Sequence, residues 1–309
     1  MERIKQALEK ARSERLKGGT VLSDKGTISS GTTTGTTIGT TTPVINYTRT
    51  RTVAVADDLL QERRIISGQE QNSYMDAYRI LRTQVLQRLK ENSWNSLAIT
   101  SPGVSEGKTL TAINLAISLA MEVDYTVLLV DADLRHPSVH NYFGLDTGYG
   151  LSEYLTDNKP IDELLVHPAN IPRFIILPGG KSLTNSSEML SSPKMVRLVE
   201  DLKTRYPSRI VIFDLPPLLS AADALAFSPY VDAALLVIEE GKTQTEDAKR
   251  AVNLLQGTNL IGTVLNKSWI NTKDKKNKRI GWFSHLLVRA HVYHQMLKQR
   301  LSRMRRGKN

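Results

Sequence analysis

The chain has 309 residues, the length of roughly one or two domains, and its 40% content of hydrophobic residues is enough for one full core. It contains no cysteine, which excludes disulfide bonds, thiol catalysis and cysteine-ligated zinc. No apolar run approaches the roughly eighteen residues of a membrane-spanning helix, and the first residues lack the apolar core of a signal peptide. We therefore expect a cytoplasmic protein whose link to the cell membrane is peripheral or through a partner.

The formal net charge of +10 is concentrated at the C-terminus. Residues 273–309 carry twelve Lys or Arg and one acid, a net charge of +11, so the preceding residues sum to −1. A basic helix flanked by apolar side chains suits an anionic membrane surface or the cytoplasmic end of a membrane partner. The alternative is a solvated helix that its charge keeps soluble. No base-reading module accompanies the basic arm, so nucleic acid is not the expected partner.

The N-terminal part is predicted to lie outside the main domain. Residues 1–17 place charges at helical spacing around a few apolar residues, which predicts a short amphipathic helix that needs a partner for stability. Residues 18–42 are rich in Gly, Thr and Ser and predict a flexible tether. Helix and tether either reach for a membrane partner or have no function of their own. The predicted domains are residues 1–46 (helix and tether), 47–270 (P-loop domain) and 271–309 (basic tail).

A further helix is predicted from about Tyr74 onwards. Residues at helical spacing form its packed face, namely Tyr78, Leu81, Val85 and Leu89. Asp76, Arg79 and Arg82 follow one another at three-residue steps and are expected to share another face. Such a charged stripe is either solvated or a contact for another chain.

A phosphate-binding loop is predicted at residues 101–109, with the sequence Ser-Pro-Gly-Val-Ser-Glu-Gly-Lys-Thr. It follows an apolar strand and precedes a helix, which is the context that a P-loop needs. The backbone N–H groups of the loop and the positive end of the helix favour a polyphosphate. Lys108 is expected to reach the β- and γ-phosphates of ATP, and the Thr109 hydroxyl is expected to hold Mg²⁺. The usual first glycine is Pro102 here, so the start of the loop must bend differently.

Two later apolar runs end in acidic residues. Asp131 and Asp133 follow the first run, and Asp214 follows the second. Such runs are typical of buried parallel strands, and ligands of open α/β sheets bind at the carboxyl ends of these strands. Of Asp131 and Asp133, one is expected to help order Mg²⁺ and the other to accept a proton from an incoming hydroxyl. Asp214 is expected to act on Mg²⁺ directly or through its water.

The alternation of strands and helices predicts an α/β fold of the P-loop NTPase type, a doubly wound, mostly parallel sheet flanked by helices. The predicted strands are residues 97–100, 127–130, 174–177, 210–213, 233–238 and 261–265. The predicted helices between them include residues 109–121, 193–205 and 245–256.

The basic tail is also predicted to contain a helix, over residues 281–297. Apolar residues at three- and four-residue steps form a stripe that comprises Phe283, Leu286, Ala290, Leu297, Leu301 and Met304. Tyr293 lies inside this predicted helix.

Several separate motifs carry a resemblance to a known family. They lie at residues 76–83, 131–140, 143–145, 150–155, 177–180, 187–190, 214–217, 223–224 and 262–266. From about Tyr74 to Lys267 the chain resembles the bacterial tyrosine kinases (BY-kinases). It is most similar to the cytoplasmic exopolysaccharide or capsule type, whose membrane activator is a separate protein.

The resemblance implies Mg-ATP-dependent tyrosine autophosphorylation that regulates the synthesis, chain length or export of exopolysaccharide or capsule. It implies ATP and Mg²⁺ as cofactors and a membrane co-polymerase, of the chain-length-determinant type, as activator. It also implies a homo-oligomeric ring in which Asp76, Arg79 and Arg82 contact the neighbouring subunit.

The site residues expected from these motifs fall into three groups. The catalytic residues are Lys108, Asp131, Asp133 and Asp214. The metal ligands are Thr109, Asp131 and Asp214. The nucleotide-binding residues are Gly103, Val104, Ser105, Glu106, Gly107, Lys108, Thr109 and Leu110, together with Arg135 and Asn266, the last as a contact for the base.

One feature expected of the family is missing, namely a cluster of tyrosines near the C-terminus. Beyond Tyr230 the chain has only Tyr293, which we name as the candidate phosphoacceptor. A helix must unfold locally before its tyrosine can reach a phosphate, so Tyr293 is a poorer acceptor than a tyrosine in a flexible tail.

Two alternatives to a kinase therefore stay open. One is a MinD/ParA-like ATPase that cycles on a membrane, although such ATPases carry a signature lysine where this chain has Gly103. The other is an ATP-binding regulator of a polysaccharide export complex that transfers no phosphate.

Overall fold

The computed structural model describes residues 50–67, 73–146, 148–206, 208–268 and 285–288. In this part of the chain, nine strands form one sheet that carries helices on both faces. The strands are β1 (Arg51–Val53), β2 (Ser96–Thr100), β3 (Thr126–Asp131), β4 (Val166–Pro168), β5 (Phe174–Leu177), β6 (Arg209–Asp214), β7 (Ala233–Glu239), β8 (Leu260–Ser268) and β9 (His285–Val288). The helices are α1 (Asp57–Glu62), α2 (Ser73–Asn92), α3 (Lys108–Ala120), α4 (Val139–Tyr142), α5 (Leu151–Asp157), α6 (Ile161–Leu164), α7 (Ser186–Leu190), α8 (Pro193–Thr204), α9 (Asp223–Phe227) and α10 (Thr245–Leu254). The predicted N-terminal helix and tether lie outside the described residues.

The predicted fold class is confirmed. The spatial order of the strands is β1-β4-β5-β3-β6-β2-β7-β8-β9. The pairs β4–β5 and β8–β9 are antiparallel, and the other neighbouring pairs are parallel. All six predicted strands and the three predicted helices are present, with ends that differ by a few residues.

Each face of the sheet has its own hydrophobic core. Helices α2 and α3 cover one face, and α8, α9 and α10 contribute to the core on the other. Val127 and Leu129 of β3 belong to the first core, whereas Leu128 and Val130 belong to the second. Successive side chains of a strand point to opposite faces, so a sheet that is buried on both faces explains the uninterrupted apolar run in the sequence.

The register of the central strands brings the predicted acids to one edge of the sheet. Asp131 at the end of β3 is paired with Asp214 at the end of β6. Asp214 is in turn paired with Ile99 of β2, the strand that leads into the predicted phosphate-binding loop. Since these strands are parallel and adjacent, their carboxyl ends deliver the loop and both acids to the same place.

The predicted packed face of α2 is confirmed, because Tyr78, Leu81, Val85 and Leu89 are all buried against the P-loop helix α3 and the sheet. Burial raises the pKa of Tyr78 to about 12. This tyrosine is therefore part of the core.

The charged stripe of α2 is divided in the structure. Arg79 forms an exposed ion pair with Asp76 at 3.0 Å. Arg82 turns towards the end of α3, where its guanidinium donates to the Ser118 carbonyl at 3.1 Å and pairs with Glu122 at 3.0 Å. Arg82 departs from the predicted shared face because a six-residue step turns an α-helix by about 240° relative to the first residue. The contact of this stripe with a neighbouring subunit stays a prediction.

Removing the Arg82 side chain is expected to destabilise the folded chain. An Arg82→Ala variant loses a charge-assisted hydrogen bond to a helix-terminal carbonyl, and we expect the free energy of unfolding to fall by about 1–3 kcal/mol. Arg79→Ala is the matched control, since it removes an exposed pair worth under about 0.5 kcal/mol. Chemical denaturation measures both. Equal losses in the two variants would show that Arg82 does not stabilise the end of α3.

The structure corrects the helix predicted for residues 281–297. Residues His285–Val288 form β9, which pairs antiparallel with β8. A short apolar run fits a strand as well as a helix by periodicity alone, and the edge of a sheet favours the strand by offering backbone partners. The rest of the predicted helix, including Tyr293, lies outside the described residues.

Candidate active site

The loop between β2 and α3 requires glycine at its last position. Gly107, the residue before α3, has a left-handed backbone with φ of 91°. A Cβ atom on Gly107 would lie 2.0 Å from the Asn266 amide nitrogen, so neither the backbone nor the space allows a side chain. That amide donates to the Glu106 carbonyl at 2.9 Å and so holds the loop from β8. The contact of Asn266 with a base stays a prediction.

The start of the loop is held by the segment that follows β6. The backbone N–H of Leu219 donates to the Pro102 carbonyl at 3.1 Å. The N–H of Leu218 donates to the Ser101 carbonyl at 2.8 Å. These bonds fix the chain at the position where the usual P-loop has its first glycine. Both use carbonyl groups of the loop, so neither requires the N–H that Pro102 lacks.

Glu106 folds back onto its own loop, which the sequence did not predict. Its carboxylate accepts hydrogen bonds from the Gly103 N–H at 3.1 Å and from the Thr243 hydroxyl at 2.6 Å. Burial raises the pKa of Glu106. Thr243 precedes α10, so this bond ties the phosphate-binding loop to the segment after β7. No sequence motif marks Thr243 for this role.

The Lys108 amine lies between two carboxylates. Its Nζ atom is 2.9 Å from Asp133 Oδ2 and 3.5 Å from Asp214 Oδ1. The Thr109 hydroxyl donates to Asp214 Oδ2 at 2.7 Å. Burial alone would lower the pKa of Lys108, but the charges of Asp214 and Asp133 outweigh it and raise that pKa. The amine is therefore held in its charged form, ready for an anion.

Asp131 is bound to the backbone instead of to the lysine. Its Oδ2 atom accepts from the N–H groups of Ser138 and Val139 at 2.8 and 2.9 Å, and its Oδ1 atom accepts from the Asp133 N–H at 3.3 Å. Burial, together with the nearby Asp214 carboxylate, raises the pKa of Asp131 to about 7. Asp131 thus shapes the turn into α4, whereas Asp133 faces the lysine.

A cavity of about 870 Å³ opens in front of these groups. The loop and α3 contribute Val104, Ser105, Gly107, Lys108, Thr109 and Leu110; the segment after β3 contributes Asp133, His136, Ser138 and Tyr142; the ends of β7 and β8 contribute Glu239, Glu240, Asn266, Lys267 and Ser268; Arg64 and Pro217 complete the lining. Because β2 lies between β6 and β7, the segment after β3 and the ends of β7 and β8 form opposite walls.

Lys267 is a further residue of this cavity that sequence reasoning missed. Its amine donates to the Ser105 carbonyl at 2.8 Å and pairs with Glu239 at 3.0 Å. It therefore clamps the tip of the phosphate-binding loop to the β7–β8 wall. The only signal in the sequence is its position directly after Asn266.

Arg135, predicted to contact the nucleotide, lies outside the cavity lining. Its Nε atom donates to both carboxylate oxygens of Asp223, at 3.1 and 3.2 Å. Asp223 is fully buried and also accepts from the Ser186 hydroxyl. In this structure Arg135 therefore links the segment after β3 to α7 and α9, and its contact with the nucleotide stays a prediction.

Two motifs of the sequence pack against each other beside the site. The N–H groups of Leu151 and Ser152 donate to the carbonyls of Pro178 and Gly179, at 2.8 and 2.9 Å. A Cβ atom on Gly179 would lie 2.7 Å from Pro137 and 3.3 Å from the Asp131 carboxyl carbon. The start of α5 and the loop after β5 thus support the turn that Asp131 shapes.

The residues present suit a magnesium ion held together with phosphates. Asp214 Oδ1 is buried and has no hydrogen-bond partner among the described residues, although Lys108 Nζ lies 3.5 Å away. The Thr109 hydroxyl is bound to the other oxygen of the same carboxylate. Mg²⁺ prefers oxygen ligands and is usually held by one or two protein groups, phosphates and water. The donor set therefore fits Mg²⁺.

Comparisons with known proteins show which sequences and folds the chain resembles. The family described as "AAA domain" matches residues 98–261, more than half of the chain. The chain is 34% identical over 225 residues to tyrosine-protein kinase YwqD of Bacillus subtilis, covering 72% of this chain and 92% of YwqD. It is 32% identical over 194 residues to tyrosine-protein kinase ptk of Acinetobacter johnsonii, covering 62% of this chain but only 26% of that relative. The solved kinase domain of Escherichia coli tyrosine kinase ETK has a TM-score of 0.59 and 29% identity, covering 70% of this chain and 88% of that domain.

Proposed function

Because the chain belongs to the bacterial tyrosine kinase family, with an ATP-binding P-loop NTPase fold, we propose that it transfers the γ-phosphoryl group of Mg-ATP to tyrosine. The acceptors proposed are tyrosines of its own chain, and the process served is the synthesis, chain length or export of exopolysaccharide or capsule. The observation that carries the proposal is the Lys108 amine held between Asp133 and Asp214 at the foot of the phosphate-binding loop.

The chain's own residues supply phosphate binding and charge. The loop N–H groups and the protonated Lys108 amine bind the β- and γ-phosphates, and both favour the charge that develops during transfer. In the structure, Asp133 and Asp214 hold the amine in place. The lysine is therefore already positioned when a triphosphate enters. The phosphates then replace part of the contact between the Lys108 amine and the two carboxylates.

Thr109 and Asp214 are the residues that would hold Mg²⁺, with Asp131 as a further proposed ligand. When bound, the ion neutralises phosphate charge and orients the β- and γ-phosphate oxygens. The fit rests on the buried Oδ1 atom of Asp214, which accepts no hydrogen bond among the described residues, and on the Thr109 hydroxyl beside the same carboxylate.

Asp133 is better placed than Asp131 to accept the proton of the incoming tyrosine hydroxyl. It lines the cavity, and its Oδ2 atom points at the phosphate-binding lysine. The pKa of Asp131, raised to about 7 by burial, suits a base, but Asp131 does not line the cavity and both its oxygens accept from backbone N–H groups. Asp133 accepts one backbone N–H, that of His136 at 3.2 Å, besides its contact with Lys108. A general base must first be within reach of the proton, so geometry favours Asp133.

Asparagine variants of the two acids are expected to separate these roles. Asp133→Asn removes the proposed base and should slow phosphotyrosine formation by about 10²–10⁴-fold. It also removes one of the two carboxylates that hold the buried Lys108 amine, so the melting temperature should fall. Asp131→Asn turns an amide towards backbone N–H donors, so it should lower the melting temperature as well. Phosphotyrosine rates and thermal melts of both variants, set against wild type, decide this. A normal rate in Asp133→Asn would assign the base to another group.

Metal chelation tests the phosphotransfer itself. Phosphate transfer from γ-labelled ATP to protein tyrosine should require Mg²⁺ and should stop when EDTA is added. Transfer that persists without divalent cation would refute the proposed Mg-ATP site. Hydrolysis of ATP without any phosphotyrosine would favour the alternative of an ATP-driven switch.

Tyr293 is the proposed phosphoacceptor, and it lies outside the described residues. A Tyr293→Phe variant should lose most of the phosphotyrosine signal while keeping ATP hydrolysis. An unchanged signal would transfer the role to Tyr47, Tyr74 or Tyr154.

A membrane co-polymerase as activator, a homo-oligomeric ring and a place at the inner face of the cell membrane are further proposals. They rest on the family resemblance and on the +11 charge of residues 273–309. No helix among the described residues is long and apolar enough to cross a membrane. Ring formation would use Asp76 and Arg79, which form an exposed ion pair.

A further inference from the structure

We propose that Arg64 binds the γ-phosphate of ATP and thereby extends the phosphate site to the segment that precedes α2. The inference rests on the proposed ATP site. Arg64 lines the same cavity as Lys108, Thr109 and Asp133, although it is 44 residues before Lys108 in sequence and belongs to no motif.

The backbone of Arg64 is held in an unusual conformation from the P-loop helix. Its φ is 58°, in the left-handed region that few residues other than glycine adopt. The Asn114 side chain of α3 donates to the Arg64 carbonyl at 2.9 Å and accepts from the Ile66 N–H at 3.0 Å. The side chains of Ile65 and Ile66 are buried in the core and anchor the segment. The left-handed residue closes α1 in a Schellman motif, in which the N–H groups of Arg64 and Ile65 donate to the Gln61 and Leu60 carbonyls at 3.0 and 2.7 Å, so the position of Arg64 is well defined.

Arg64 belongs to the wall of the cavity that lies opposite Asn266. The neighbouring Arg63 guanidinium donates to the Asn141 carbonyl of α4, which places this segment beside the turn after β3. Asn266 and Lys267 lie on the β7–β8 wall, across the phosphate-binding loop. If the base lies at Asn266, as proposed, the triphosphate extends past Lys108 towards Arg64. The phosphate that meets Arg64 is then the terminal one.

The charges of the cavity leave Arg64 available for an anionic ligand. Lys108 is paired with Asp133 and Asp214, and Lys267 is paired with Glu239. In the part of the chain that the structure describes, no acid lies within ion-pair distance of the Arg64 guanidinium. A guanidinium presents several N–H donors in a planar fork that matches phosphate oxygens. Because ADP has no γ-phosphate, a contact between Arg64 and that group distinguishes ATP from ADP. Arg64 closely follows α1 in the chain and belongs to the segment that leads towards α2.

Arg64→Asn tests the inference, since asparagine tolerates the left-handed backbone and removes the charge. We expect the Kd of the β,γ-imido analogue of ATP, measured by calorimetry with Mg²⁺, to rise about tenfold. The Kd of ADP should change less than about twofold, because ADP lacks the contacted phosphate. Arg64→Lys should recover part of the lost affinity. Arg88→Asn removes an exposed guanidinium on α2 that lies outside the cavity lining and should leave both Kd values unchanged.

Other outcomes would overturn the inference. Equal weakening of both nucleotides, or of neither, would show that Arg64 does not contact the γ-phosphate. An unchanged Kd with a raised KM for a tyrosine-containing acceptor would assign Arg64 to the acceptor instead. If Arg64→Asn does not fold, Arg64→Gly, which suits the same backbone, replaces it. A wild-type chain that binds neither nucleotide would refute the ATP site itself, and that result is distinct from a defect confined to Arg64 variants.

Discussion

Replacing Lys108 by methionine is expected to lower both ATP hydrolysis and tyrosine phosphorylation by at least about 10²–10³-fold. The amine is buried between Asp133 and Asp214, 2.9 and 3.5 Å from their oxygens. It is the cation at the foot of the phosphate-binding loop, and methionine fills similar space without a charge. Steady-state hydrolysis and phosphotyrosine blots of the purified variant measure the loss.

Lys249→Met is the matched control for this change. Lys249 is exposed on α10 and forms an i,i+3 pair with Glu246 at 3.3 Å, so the same substitution there should leave turnover unchanged. Thermal melting of Lys108→Met shows whether the two carboxylates that lose their cation destabilise the fold. Turnover of Lys108→Met above a tenth of wild type, in a folded protein, would place the chemistry elsewhere in the chain.

Gly107→Ala is expected to weaken ATP binding by at least about tenfold, and to lower phosphotransfer with it. The added Cβ would lie 2.0 Å from the Asn266 amide nitrogen, and φ of 91° strains any residue with a side chain by about 1–2 kcal/mol. Either the loop or Asn266 must move, and a movement of the loop would displace the N–H groups proposed to bind the phosphates. Calorimetric titration with the non-hydrolysable ATP analogue measures the effect.

Gly257→Ala serves as the control for Gly107→Ala. A Cβ atom on Gly257 would meet no atom within 4 Å, so this variant should bind ATP as wild type does. An unchanged ATP affinity in Gly107→Ala would mean that the loop conformation described here is not the one that binds nucleotide.

Much of the fold could be predicted because its signals are local. The apolar runs that form β2, β3 and β6 are each followed by a charged motif. These runs contain no alternating polar residues because the sheet is buried on both faces. The convergence of Lys108, Asp133 and Asp214 followed from the rule that parallel strands present their carboxyl ends together. The helix predicted for residues 281–297 was wrong at His285–Val288, since a short apolar run does not reveal whether a sheet edge is available to it.

The parts of the site that escaped prediction depend on contacts between distant segments. Thr243 on Glu106, Lys267 on Ser105 and Arg64 in the cavity have no spacing or motif that marks them. Their roles arise only when the sheet places the ends of β7 and β8, and the segment before α2, around the loop. The different environments of Asp131 and Asp133 were likewise invisible, because both precede the same turn, and only their hydrogen-bond partners separate them.

The most direct measurement is site-resolved phosphotyrosine mapping by mass spectrometry after incubation with Mg-ATP, in wild type and in Lys108→Met. The cytoplasmic segment of a candidate membrane activator is added in parallel, since the proposed activator is a separate protein. We expect phosphate on tyrosine in wild type alone, with Tyr293 as the main acceptor. ATP hydrolysis without phosphotyrosine, with and without the activator segment, would contradict the kinase function and leave an ATP-driven switch.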